Sequence, residues 1–203
     1  MYNASDPRST LTGGAEATEA KWVHKSFFGS QLALFYGIEP QIRDGNGETW
    51  ISRGQNFVIA YSKGLQDGVF ARSAQVDEYA VIIPDAETQV EITTAAGTEV
   101  VPGYSVVFVP PGDSSIRMLS AGTIIRLLTP RSEDMANAAS NAAAFAGTHP
   151  NVPPFQPWPE PAGGLKLRWY TLDVPEDPSR FGRIYRCTTF MINFLTPRIG
   201  PRA

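Results

Sequence analysis

Residues 106–118 read VVFVPPGDSSIRM: an apolar run from Val106, cut by Pro110-Pro111-Gly112, then a mixed run ending at Met118. β-Branched residues favour a strand, and Pro-Pro-Gly cannot continue its hydrogen-bond ladder, so the stretch reads as strand, turn, strand. The text on either side is of the same kind. DEYAVIIPD (77–85), TQVEITT (88–94) and GTIIRLLTP (122–130) supply more short apolar runs, at the spacing of about 8–12 residues expected of a sandwich or small barrel. In TQVEITT, Val90 and Ile92 alternate with Glu91 and Thr93, which means one buried and one wet face. Further upstream, QLALFYGI (31–38), ETWISRG (48–54), NFVIAYSKG (56–64) and GVFAR (68–72) read as strands broken at Gly and polar residues. The fold class is all-β, a β-barrel or jelly roll spanning residues 25–130.

After Pro130 the texture changes. SEDMANAASNAAAFAG (132–147) predicts a helix of roughly three to four turns, with Ser132 as N-cap, Glu133 and Asp134 in its first turn and Gly147 as a stop. THPNVPPFQPWPEPAGG (148–164) is so dense in proline that it must run as an extended strap. KLRWYTLDV (166–174) and RIYRCTTFMINFL (183–195) return to strand character. The organisation is therefore an N-terminal arm over 1–24, the barrel over 25–130, a helix and Pro-rich linker over 131–164, and C-terminal strands over 165–203.

The chain has 203 residues, enough for one domain with appendages. Its 17 basic and 20 acidic residues form no basic stripe, which argues against nucleic acid as a partner. Neither a signal-peptide pattern nor an apolar run of membrane-spanning length is seen. The single cysteine, Cys187, allows no intramolecular disulfide and no Cys-rich zinc site. A soluble, cytoplasmic protein is the expectation, with no membrane partner. Cys187 itself reads as a small buried hydrophobe.

The runs DEYAVIIPD and VVFVPPGD, with Gly103 between them, resemble the two short motifs of the cupin superfamily, RmlC-like jelly rolls. The resemblance covers residues 50–130. It implies a jelly-roll β-barrel, to which the sequence adds one helix and a Pro-rich strap. It also places Glu78 at the family's metal-binding Glu, Arg72 and Ala74 at its two His positions, and Ser115 at its last His. Three of the four ligands are thereby missing, and one carboxylate with a hydroxyl cannot hold a transition metal against water. No metal and no cofactor are expected. The only histidines, His24 and His149, lie outside the motifs and read as surface or packing residues.

On the same resemblance, Arg72 and Glu78 converge across a hairpin, and strand parity adds Arg117 to the face of Ser115. Arg72, Glu78, Ser115 and Arg117 are the candidate ligand-binding residues, for a small anionic or hydroxylated molecule, because two cations face one anion. The competing reading is a salt bridge that only plugs the site. Tyr61, Phe70, Tyr79 and Phe108 read as core, whereas Phe155, Trp158 and Trp169 read as anchors of the strap on a barrel or on a second subunit.

The tail resembles the lead-in to a second cupin domain, as in two-domain bicupins, so the chain resembles a ligand-poor half of a bicupin. An apolar run such as Thr189–Leu195 needs a partner strand, and a homodimer by strand exchange is expected. Two functions follow. The first is a metal-free, non-catalytic module for small-molecule binding or assembly. The second is a metal-independent isomerase, lyase or hydrolase acting on a carbohydrate or small organic acid, with Glu78 as the candidate catalytic base.

Overall fold

The computed structural model describes residues 33–149, 152–173 and 183–195. The N-terminal arm, His24 and residues 174–182 and 196–203 lie outside them. The strands are β1 (Ile42–Asp44), β2 (Gly47–Arg53), β3 (Val58–Gly64), β4 (Val69–Gln75), β5 (Tyr79–Ile83), β6 (Val90–Thr94), β7 (Gly97–Val101), β8 (Ser105–Val109), β9 (Gly112–Met118), β10 (Gly122–Leu128), β11 (Arg168–Thr171), β12 (Arg183–Arg186) and β13 (Met191–Phe194).

Strands β3 to β10 divide between two facing antiparallel sheets, in the orders β3-β10-β5-β8 and β4-β9-β6-β7. Each step along the chain from β3 to β6 crosses from one sheet to the other, and so do the steps β7 to β8, β8 to β9 and β9 to β10, which is the connectivity of a jelly roll. Pro110 and Pro111 make the β8–β9 crossing, and Gly112 adopts a φ of 102°, a left-handed conformation that a side chain would strain. β2 and β1 extend the first sheet beyond β3, and β11 extends it beyond β8.

The sequence shows which sheet is covered. β6 alternates because its outer face is wet, whereas β5 and β8 are apolar on both faces and nearly wholly buried. Their inner residues, among them Tyr79, Val81, Val107 and Val109, join the barrel core. Their outer residues, Ala80, Val106 and Phe108, form a second core with Leu172 and Cys187, against which Phe190, Ile192 and Phe194 pack. The β12–β13 hairpin thus closes over its own sheet.

Four expectations change. Phe35–Gly37, inside the first run read as a strand, is a 3₁₀ turn. The helix is shorter: α1 spans Glu133–Ala138 and stops at Ala139, and a separate 3₁₀ turn follows at Ala142–Phe145. Tertiary bonds end it, because the Ser140 amide donates to the Ile51 carbonyl (2.9 Å) and the Asn141 side chain pairs with both the amide and the carbonyl of Arg53 (2.9 and 2.8 Å). Tyr61 leaves the core to stack on Phe35 outside the sheet, at 5.4 Å between rings. Finally, the run 189–195 is buried in part on its own barrel, so strand exchange is not needed to cover it. Among the C-terminal strands, β11 pairs with β8 of this barrel, and β12 and β13 form a separate pair packed on its outer face.

The strap lies along the same hairpin. The Trp158 amide donates to the Thr188 carbonyl at 2.7 Å, and Phe155, Trp158, Phe190 and Met191 line an open, apolar outer cleft of about 460 Å³.

Candidate functional site

The motif residues do not converge as the resemblance implies. β4 and β5 belong to opposite sheets, so Arg72 and Glu78 do not face each other across a hairpin. A bulge between Arg72 and Gln75 shifts the register, with Ala74 at φ 48° and its amide held by Asp113 Oδ1 (2.7 Å). Beyond the bulge the parity is displaced: Tyr79 points into the barrel and Glu78 points out. On β9 the inner residues are Ser114, Ile116 and Met118, so Ser115 and Arg117 do share a face, but it is the outer one. Arg117 there binds Asp67 (2.5 Å).

Glu78 is a structural anchor. Its side chain is fully buried; Oε1 accepts from Arg168 Nη2 (2.5 Å), and Oε2 accepts from the amide and hydroxyl of Thr188 (2.8 and 3.0 Å). The Thr189 hydroxyl donates to the Glu78 carbonyl at 2.7 Å. Both carboxylate oxygens are therefore occupied, which leaves no free base, and the expectation of Glu78 as catalytic residue is corrected by its orientation. Neither the pocket nor the plug drawn from Arg72 and Glu78 together describes the molecule.

A polar focus does exist inside the barrel, built one residue away from the family pattern. Arg72 projects inward from β4, and Gln75, Tyr79, Ser114 and Arg126 join it from β4, β5, β9 and β10. The Tyr79 and Ser114 hydroxyls bond at 3.0 Å. Arg72 Nε donates to Gln75 Oε1 (2.9 Å), and Gln75 Nε2 donates to the Ser132 hydroxyl (2.9 Å), which is why Ser132 does not cap α1 with its side chain. The outer nitrogens of Arg72 form a fork to Asp134 on α1, at 2.5 and 2.9 Å.

Arg126 lies deeper. It is 4% exposed, shares the inner face with Ile124 and Leu128, and stands 5.0 Å from the centre of the Phe70 ring. Nη2 makes one long bond to the Ser62 hydroxyl (3.3 Å), and Nε has no partner among the described residues. Burial pushes its pKa down to about 10, so the group stays charged at neutral pH. Burial also raises the Tyr79 phenol, partly offset by Ser114 and by the two guanidiniums. The hydrogen bond from Arg72 holds the Asp134 carboxyl below its usual range.

Arg126 was legible as an arginine on the apolar face of TIIRLL, and parity alone would have found it. Asp134 and Arg168 carry no such signal, because each meets its partner from about 60 to 90 residues away in the chain.

The fold is a jelly roll. Solved structures of similar shape include an RmlC-like cupin from Shewanella frigidimarina, at 15% identity and a TM-score of 0.43 over 52% of this chain and 96% of that one. KdgF from a Halomonas species gives 15% and 0.43 over 53% and 99%. An oxalate decarboxylase variant from Bacillus subtilis gives 15% and 0.34 over 68% and 41%. These likenesses concern shape alone, and the assignment rests on the strand order. No protein-family model matches the sequence, and no curated protein matches it.

The likeness to cupin motifs raises the question of a metal, and the residues at the focus do not fit one. Two guanidiniums, a phenol and a hydroxyl would repel a dication or offer it weak donors. Among the described residues no cluster of three His, Cys, Asp or Glu side chains could hold an ion, and among them no helix is long and apolar enough to cross a membrane.

Proposed function

We propose that the chain is a non-catalytic, cupin-type module that holds a small anionic molecule at the barrel focus. One observation carries the reading: Arg126, a charged guanidinium buried in the barrel, has an Nε with no partner among the described residues, and among them it and Arg72 set two cations against the carboxylate of Asp134 at the focus. Burying an uncompensated charge costs several kcal/mol. A bound anion would offset that cost. The adjoining opening, about 390 Å³, is lined by Arg72, Gln75, Arg131, Ser132, Glu133 and Asp134, a volume in the usual range for small ligands.

The test is a thermal-shift comparison of small organic acids with neutral polyols. Acids should raise the melting temperature in proportion to their occupancy, and polyols should leave it unchanged. Stabilisation by polyols alone would defeat the reading.

A homodimer belongs to the same proposal. Ile184, Met191 and Leu195 remain exposed and apolar on the hairpin after it has packed on the barrel, and such a patch suits a second copy. A reducing, cytoplasmic setting is proposed as well, since the chain's one cysteine, Cys187, is a buried free thiol.

A further inference from the structure

The fork between Arg72 and Asp134 identifies the chemistry of the ligand. Arg72 is oriented without Asp134, because its Nε is fixed on Gln75, which Ser132 fixes in turn. Its two outer nitrogens are aimed at the barrel mouth, and what they hold there is a carboxylate bound through both oxygens. The two partners differ in exposure: the Arg72 side chain is 11% exposed and that of Asp134 is 61%. The cation belongs to the barrel, and the anion sits at the solvent edge, where its side chain can turn away while Met135 and Ala136 keep α1 seated in the core.

We infer that the mouth of the barrel is a binding site for a small carboxylate, and that Asp134 occupies the place of that carboxylate until the ligand displaces it from Arg72. This rests on the anion-binding reading above and narrows it. Displacement costs little, since an exposed aspartate regains water when it leaves, whereas the ligand gains a guanidinium shielded from solvent and backed by the charge of Arg126. A phosphate dianion suits the place less well. Arg131, the other cation at the opening, is already held by Asp77 at 2.6 Å, and Glu133 and Asp134 line the same opening, so a second negative charge finds no free partner there.

Asp134→Ala and Asp134→Asn remove the internal competitor, and titration calorimetry with acetate, succinate and inorganic phosphate reads the result. Both variants should bind acetate or succinate about tenfold or more tighter than the wild type does, a change easily resolved. Adding Arg72→Lys, which keeps the charge and loses the fork, should abolish the gain. Unchanged carboxylate affinity in both Asp134 variants would overturn the inference. A gain for phosphate alone would overturn the carboxylate assignment and leave an anion-binding barrel standing. Absence of any anion binding in the wild type and both variants would remove both readings together.

Discussion

Replacing Arg126 by Met should stabilise the protein by about 1–4 kcal/mol, the range seen when buried charged groups give way to apolar residues of similar volume, and should at the same time abolish binding of small acids. The sign is the informative part. Arg126 makes one bond of 3.3 Å to Ser62 and one face contact with Phe70. Removing it strands no partner, because the Ser62 hydroxyl keeps its 2.8 Å bond to Thr49. Met fills the space among Phe70 and its apolar neighbours without a desolvation penalty. A residue that costs stability where it stands is the mark of a site kept for function. Urea unfolding measures the effect, and a loss of stability in Arg126→Met with binding intact would make Arg126 a structural residue.

The opposite result is expected at Glu78. Glu78→Ala leaves Arg168, 13% exposed, without its carboxylate, and frees Thr188 from the sheet. Truncating one member of a buried ion pair costs about 3–5 kcal/mol, a large share of a total stability of about 5–15 kcal/mol. Because the anchor holds the hairpin over the outer core, the C-terminal segment should also become sensitive to limited proteolysis. The double change Glu78→Leu with Arg168→Met removes both charges together and should recover most of the loss. If Glu78→Ala unfolds at the wild-type urea concentration, the pair is not the anchor described here.

These two residues show what the sequence made legible. The jelly roll followed from short apolar runs at regular spacing, and the covered sheet could be read from β5 and β8, whose apolar runs do not alternate. Of the four candidate residues, only Arg72 projects into the barrel; Glu78, Ser115 and Arg117 face outward. The bulge after Arg72 interrupts the alternation that the motif spacing implies, so Tyr79 faces inward and Glu78 outward, while on β9 the residue opposite Arg72 is Ser114, which places Ser115 on the outer face. The short helix escaped for a related reason: high alanine content favours a helix, but Asn141 and Ser140 find stronger partners on β2. Local propensity cannot foresee a partner about 88 residues away.

The proposed site is a barrel focus that takes an anion rather than a metal. A native mass spectrum of the chain, sprayed from a volatile buffer containing succinate, tests it most directly, and reports the subunit count as well. The account requires a saturable small-acid adduct on each chain, lost in Arg126→Met, and no transition metal. A stoichiometric transition metal on each chain, with no acid adduct, would contradict it.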